Sequence, residues 1–248
     1  SELGFDMFVR SMDKYEFCAT SFGSTMQAST PVEQYGASLL NSGVWEKQCA
    51  AYGPYASGFG CNSTQVCDAP PPTLECGYRC PVLNQVDNGM NIDQWAERQA
   101  EELLTGHWAL NGKEQPWFLQ LGFPSPHPPF ILTAAEHART ANKNFPTPVD
   151  VHFENVTNNP LRFNVDLLET QREYAALLEM LDDQLERFLT FLKGNGVYEE
   201  TVIIITSDHG EHLGDHTAYG KSSAWEEANH VPLVVTGPGI RMQTLDRP

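Results

Sequence analysis

The densest run of chemically capable side chains follows Ser207. From Asp208 to His216, three histidines (His209, His212, His216) and three acids (Asp208, Glu211, Asp215) fall within nine residues. Asp208 offers a hard oxygen ligand, and His209 offers a nitrogen ligand or a hydrogen-bond donor. Gly210 lets the backbone turn sharply away. A divalent metal site is the chemistry that this composition suggests, against the alternative of a solvated acidic loop. His212 reads as an exposed loop residue. A second candidate is His127, within Phe123-Pro124-Ser125-Pro126-His127-Pro128-Pro129-Phe130. Prolines hold it in a stiff, extended segment, which suits a general acid or an oxyanion donor. The third is Lys221 in Tyr219-Gly220-Lys221-Ser222-Ser223. It is a compact point charge able to bind sulfate or phosphate. A nucleotide-binding Gly-Lys-Ser loop is excluded, because Asp215 stands where that motif needs glycine.

These groups need elements to position them. Thr201-Val202-Ile203-Ile204-Ile205-Thr206 is a β-branched run without polar alternation, the pattern of a strand buried on both faces, most often in a parallel sheet. Val231-Pro232-Leu233-Val234-Val235 reads as another strand, ended by Gly237-Pro238-Gly239. Pro116–Phe123 reads as a short buried strand leading to His127. Ile92, Trp95, Ala96, Ala100, Leu103 and Leu104 recur at helical spacing over 91–104. Tyr174, Leu177, Leu178, Leu181, Leu185, Phe188, Leu189 and Leu192 predict a long amphipathic helix, stopped at Gly194-Asn195-Gly196. Residues 124–165 read as loop. Helix–strand alternation predicts an α/β fold, a mostly parallel central sheet flanked by helices. Ligands of such sheets bind beyond the carboxyl ends of strands, where Asp208 and His127 both fall.

Composition narrows the partners. Lys+Arg 15 against Asp+Glu 32 gives a net charge of −17 in 248 residues. So acidic a chain does not suit a nucleic-acid backbone. No apolar run is long enough for a transmembrane helix. Residues 11–90 are irregular and rich in Gly, Pro, Ser and Asn. They hold all six cysteines: Cys18, Cys49, Cys61, Cys67, Cys76 and Cys80. Their spacings do not match the common zinc-ribbon pattern. The even count favours disulfides, with fifteen possible pairings. With sequons at Asn62 and Asn155, this reads as an exported protein. Trp45, Trp95, Trp108 and Trp117 could stack on a sugar ring, but core packing is the simpler role. The ends, Ser1-Glu2-Leu3 and Asp246-Arg247-Pro248, read as those of a fragment.

At this point a resemblance becomes specific. SDHGEHLGDH, GKSSAWEE and VPLVVTGPG, all within 201–239, resemble the C-terminal active-site stretch of type I, formylglycine-dependent sulfatases of the alkaline-phosphatase superfamily. PWFLQLGFPSPHPPF resembles that family's histidine-bearing strand and loop. YAALLEMLDDQLERFL resembles the helix before the metal strand, and LGFDMF a segment near the start of the chain. The likeness covers most of 1–10 and 90–248. It leaves 11–90 as an insertion-like region within one partial catalytic domain. It implies that Asp208 and His209 are metal ligands, usually to Ca2+. The imidazole of His209 leaves room for Mn2+ or Zn2+, and for a phosphonate or phosphate ester substrate. It implies that His127 and Lys221 contact the sulfate oxygens and assist the leaving group. His216 fits the family pattern without an assigned role.

One departure matters. The family's nucleophile signature, Cys or Ser followed by x-Pro-x-Arg, is absent from these residues; Cys80-Pro81-Val82-Leu83-Asn84 comes nearest and fails. The early Asp-Asp pair that completes the metal site and the early Lys/His motif are missing too. The resemblance places all of these, formylglycine included, before LGFD. The expected function is metal-assisted hydrolysis of a sulfate ester, on a sulfated carbohydrate, with the chain as given inactive alone. A phosphonate or phosphate ester hydrolase and a non-catalytic relative are the alternatives. Oligomeric state is not legible in the sequence.

Overall fold

The computed structural model describes residues 82–83, 91–128, 130–150 and 167–241. All six cysteines, both sequons, Trp45, the LGFDMF segment and, apart from residues 82–83, the 11–90 region lie outside the described residues. The chain divides into two compact units, with boundaries at Phe145/Pro146 and Leu185/Glu186.

The first unit is built on helices. Helix α1 spans Ile92–Asn111, and the Asn91 side chain caps it by accepting from the Gln94 amide at 2.8 Å. That bond satisfies one of the donors that a helix start leaves open. Four residues of the stripe read from the sequence, Ile92, Trp95, Ala100 and Leu104, lie on its buried face together with Trp108, while Ala96 and Leu103 are half-buried. Burying such a face contributes roughly 1.5–3 kcal/mol per large side chain. Strands β1 (Val82–Leu83) and β2 (Ile131–Leu132) pair in parallel, in register Val82 with Ile131. Helix α2, Ala134–Thr140, falls where the sequence reads as loop. Its start is a capping box: the Glu136 amide donates to Thr133 Oγ1, and the Thr133 amide to the Glu136 carboxylate. Helix α3 spans Leu167–Gly194, longer at its start than the predicted stripe. Ala176, Leu177 and Met180 are buried, and Phe130 meets Tyr174 edge to face at 6.1 Å.

The second unit holds the end of α3, a 3-10 turn at Tyr198–Glu200, strands β3 (Ile203–Thr206) and β4 (Leu233–Thr236), and the short helix α4 (Glu226–Asn229). Gly196, at φ 73°, follows α3 as the left-handed stop that the sequence predicts. Strands β3 and β4 pair antiparallel, Ile203 with Thr236 and Thr206 with Leu233. This corrects the expectation of strands buried on both faces: β4 is exposed throughout, and Ile204 is 62% exposed. The β-branched run dictates extended backbone, but burial requires covering layers, and none is seen over these strands among the described residues. A mostly parallel sheet is likewise not seen there. The segment 116–123 is irregular rather than a strand, with Phe118 exposed.

Candidate active site

In the second unit, three of the four predicted site residues come together. The chain leaves β3 at Thr206 and turns at Ser207, whose hydroxyl donates to the His209 carbonyl at 2.7 Å. The Asp208 carboxylate accepts from the His209 amide at 3.0 Å, which fixes Asp208 beside the imidazole. His209 Nδ1 lies 2.8 Å from the Gly210 carbonyl, so it carries the proton and donates. In the neutral ring, Nε2 is then the basic nitrogen. It lies 3.5 Å from Asp208 Oδ2 and 2.7 Å from Lys221 Nζ. One carboxylate oxygen and one imidazole nitrogen at this spacing fit two coordination sites of a divalent ion. The Lys221 ammonium presently meets the lone pair that such an ion would take. The Asp208 side chain is 84% exposed, so the group opens to solvent.

The loop carrying these groups is held from below. Gly210 approaches α4 so closely that a Cβ there would lie 1.9 Å from the Glu227 carbonyl oxygen. Its amide donates to the Ala228 carbonyl at 2.8 Å. This close approach turns His212 inward, contrary to the exposed position read from the sequence. His212 is only 2% exposed, with Nε2 2.7 Å from Ser223 Oγ. The His212 amide donates to the Gly220 carbonyl, and the Gly220 amide to the Glu211 carboxylate. These bonds tie the residues after His209 to those before Lys221. His216, at φ 54°, stacks on Trp225 with ring centres 4.1 Å apart. Its two nitrogens face Asp150 at 3.3 Å and Glu227 at 3.4 Å. The Glu227 carboxyl is held below the usual glutamate range, mainly by a hydrogen bond from its own backbone and further by the neighbouring charge of His216. The Val149 amide donates to Asp215, and the His216 amide to the Val149 carbonyl. Trp225 and Asp150 are supports that residue types alone did not single out.

His127 belongs to the first unit. Its segment is tethered to α1 by Asp93, a buried carboxylate in that helix's first turn. Ser125 donates to it twice, from its amide at 3.1 Å and its hydroxyl at 2.6 Å. The His127 amide closes a turn onto the Pro124 carbonyl, and Nδ1 donates to the Pro128 carbonyl. In the neutral ring, Nε2 is therefore the basic atom, and the imidazole is rigidly presented. The tether could be anticipated only weakly, from an acid following the Asn91 cap. Trp95 and Trp108 are core residues, and Trp117 packs edge to face on Trp108 at 6.3 Å. No described helix is long and apolar enough to cross a membrane.

Comparison with known proteins bears on this arrangement. The multifunctional alkaline phosphatase superfamily protein PehA of Trinickia caryophylli is 30% identical over 156 residues, 52% of this chain and 30% of its own. Iduronate 2-sulfatase of Homo sapiens is 29% identical over 202 residues, 71% of this chain and 36% of its own. The chain thus spans about a third of the length of these curated relatives. Among solved structures, the phosphonate monoester hydrolase of Agrobacterium radiobacter aligns with a TM-score of 0.60 at 20% identity, over 84% of this chain and 42% of that one. At that identity the likeness concerns the fold. The family model described as Sulfatase matches residues 18–247, nearly the whole chain, and the chain belongs to the sulfatase family.

Proposed function

We propose that the protein carrying this chain hydrolyses sulfate esters, and that Asp208, His209, Lys221 and His127 are its working groups here. The observation that carries the reading is the cluster in which Asp208 Oδ2 and Lys221 Nζ approach the same nitrogen, His209 Nε2, at 3.5 and 2.7 Å. Asp208 and His209 would hold a divalent ion, Ca2+ by family habit and Mn2+ or Zn2+ by the chemistry of an imidazole ligand. Such an ion supplies Lewis-acid stabilisation of charge on the ester oxygens. The oxygen nucleophile would come from the formylglycine hydrate that the family resemblance implies outside these residues. Lys221 binds the sulfate oxygens and stabilises the charge that builds on them. In its protonated, imidazolium form His127 would give the Nε2 proton to the departing alkoxide oxygen and be left as the neutral ring, while the Pro128 carbonyl keeps it oriented through Nδ1. The assignment of His127 to the same oxyanion rests on the sequence resemblance.

The substrate class is a sulfated carbohydrate, in keeping with the iduronate 2-sulfatase relative, and the setting an exported one. The reading also takes the fold to be the mostly parallel sheet flanked by helices that the resemblance implies. Residues 11–90 are taken as an insertion-like region of that domain. A second reading, phosphonate or phosphate ester hydrolysis, is favoured by the imidazole at position 209. A paired assay decides between them: rates on an aryl sulfate and an aryl phosphonate, with metal content measured on the same sample. The sulfatase reading expects the sulfate ester to be the better substrate. Preference for the phosphonate would replace it with the second reading.

A further inference from the structure

Helices α2 and α3 bring together a group of ligands that shares no residue with the cluster just described. Glu169 and Glu173 are one helical turn apart on α3, so both carboxylates lie on the same face. His137, on α2, reaches that face: its Nε2 is 2.7 Å from Glu169 Oε1. One ligand atom each from His137, Glu169 and Glu173 falls within 4.8 Å of the others. Glu173 is only 1% exposed, while the His137 and Glu169 side chains are 28% and 30% exposed. The group therefore has a shielded inner carboxylate and an outer edge open to water.

The surroundings hold these ligands in place. The Thr133–Glu136 capping box fixes the start of α2, and Thr140 Oγ1 donates to the Arg172 carbonyl at 2.8 Å, joining the end of α2 to α3. Arg172 Nη1 contacts the other Glu169 oxygen, Oε2, at 3.3 Å and so turns Oε1 toward His137. Arg172 Nε also donates to the Lys143 carbonyl at 2.9 Å, so the guanidinium is itself anchored. Outer contacts that orient a ligand in this way are the usual support of a metal site.

We propose that His137, Glu169 and Glu173 form a binding site for a zinc-type divalent ion. One imidazole and two carboxylates suit Zn2+ better than Ca2+, which takes six to eight oxygens. The same three groups without an ion would be an ion-pair cluster, and the 2.7 Å His137–Glu169 distance is that of a hydrogen bond. A zinc ion bonded at about 2.0–2.2 Å would take the place of the shared proton and open that pair to about 3.3 Å, a shift of half an ångström or so. Three protein ligands leave a fourth tetrahedral position for water at the exposed edge.

The test is zinc binding by isothermal titration to the chelator-treated chain carrying Asp208→Asn and His209→Asn. In that background the first cluster contributes no zinc, so the result is independent of the sulfatase reading. The expected result is about one Zn2+ per chain, with little response to Ca2+. Adding His137→Asn or Glu173→Gln should weaken zinc binding at least about tenfold. His137 is partly exposed, so its variant keeps the test informative if the buried Glu173→Gln chain fails to fold. Absence of zinc binding, or binding unchanged by His137→Asn, would overturn the proposal.

Discussion

Lys221 Nζ lies 2.7 Å from His209 Nε2, the same nitrogen that stands 3.5 Å from Asp208 Oδ2. The two residues are twelve positions apart, and the intervening loop is folded so that an ammonium meets an imidazole lone pair. In the proposed site Asp208 and His209 Nε2 would hold a divalent ion, and the Lys221 ammonium would then be released to meet the oxyanion.

Removing the ammonium should disable chemistry without unfolding the chain, because Lys221 is solvent-exposed. In the active protein, Lys221→Ala is expected to lower the rate on an aryl sulfate by about a hundredfold or more. The same loss is expected for His127→Ala. Melting temperatures close to wild type would separate this from misfolding. Near-normal rates in both variants would remove these residues from the mechanism.

The tether behind His127 makes a different prediction. Ser125→Ala leaves the buried Asp93 carboxylate short of its 2.6 Å hydroxyl donor. Thermal unfolding should show a loss of about 1–3 kcal/mol. The rate on an aryl sulfate should fall as well, since Ser125 orients the loop that bears His127. Unchanged stability would mean that the Ser125 amide alone holds the segment.

Gly210 allows no side chain. A Cβ would lie 1.9 Å from the Glu227 carbonyl oxygen, which is backbone and cannot rotate away. Gly210→Ala should therefore destabilise the fold by at least about 1–3 kcal/mol and weaken divalent-ion binding at Asp208 and His209. Gly106→Ala serves as the comparison, since nothing lies near its Cβ position. Equal melting temperatures for the two variants would contradict the close approach.

How much of this was legible beforehand varies with the kind of force involved. The stripe from Tyr174 to Leu192 forecast the greater part of α3, because helical periodicity is written locally. The Ser207–His216 run forecast the pairing of Asp208 with His209, because polar residues gathered after a β-branched strand are locally visible too. Burial of His212 was not legible: it follows from Gly210 packing on α4, a contact eighteen residues away. The antiparallel pairing of β3 with β4 was missed for a related reason, since an apolar run specifies extension but not its partner. Helix α2 could have been found, as Thr133-Ala134-Ala135-Glu136 carries a capping-box signature.

Acid should loosen the loop around His216. The Glu227 carboxyl is held below its ordinary range, mainly by its own backbone amide and in part by the charge of His216. A depressed carboxyl contributes stability that is complete above its ordinary range and is lost as pH falls through the folded value. Melting temperature should therefore decline more steeply toward acid in the wild type than in Glu227→Gln. Parallel curves would show that the carboxylate does not support the fold.

The central claim is that the Asp208–His209–Lys221 cluster takes a divalent ion and an oxyanion together. A crystal structure of the active protein with Mn2+ and sulfate tests it most directly, the ion being located by its anomalous signal. The account predicts manganese bonded to the Asp208 carboxylate and His209 Nε2, with a sulfate oxygen on Lys221 Nζ. Manganese and sulfate bound elsewhere, with Lys221 still against His209, would contradict it.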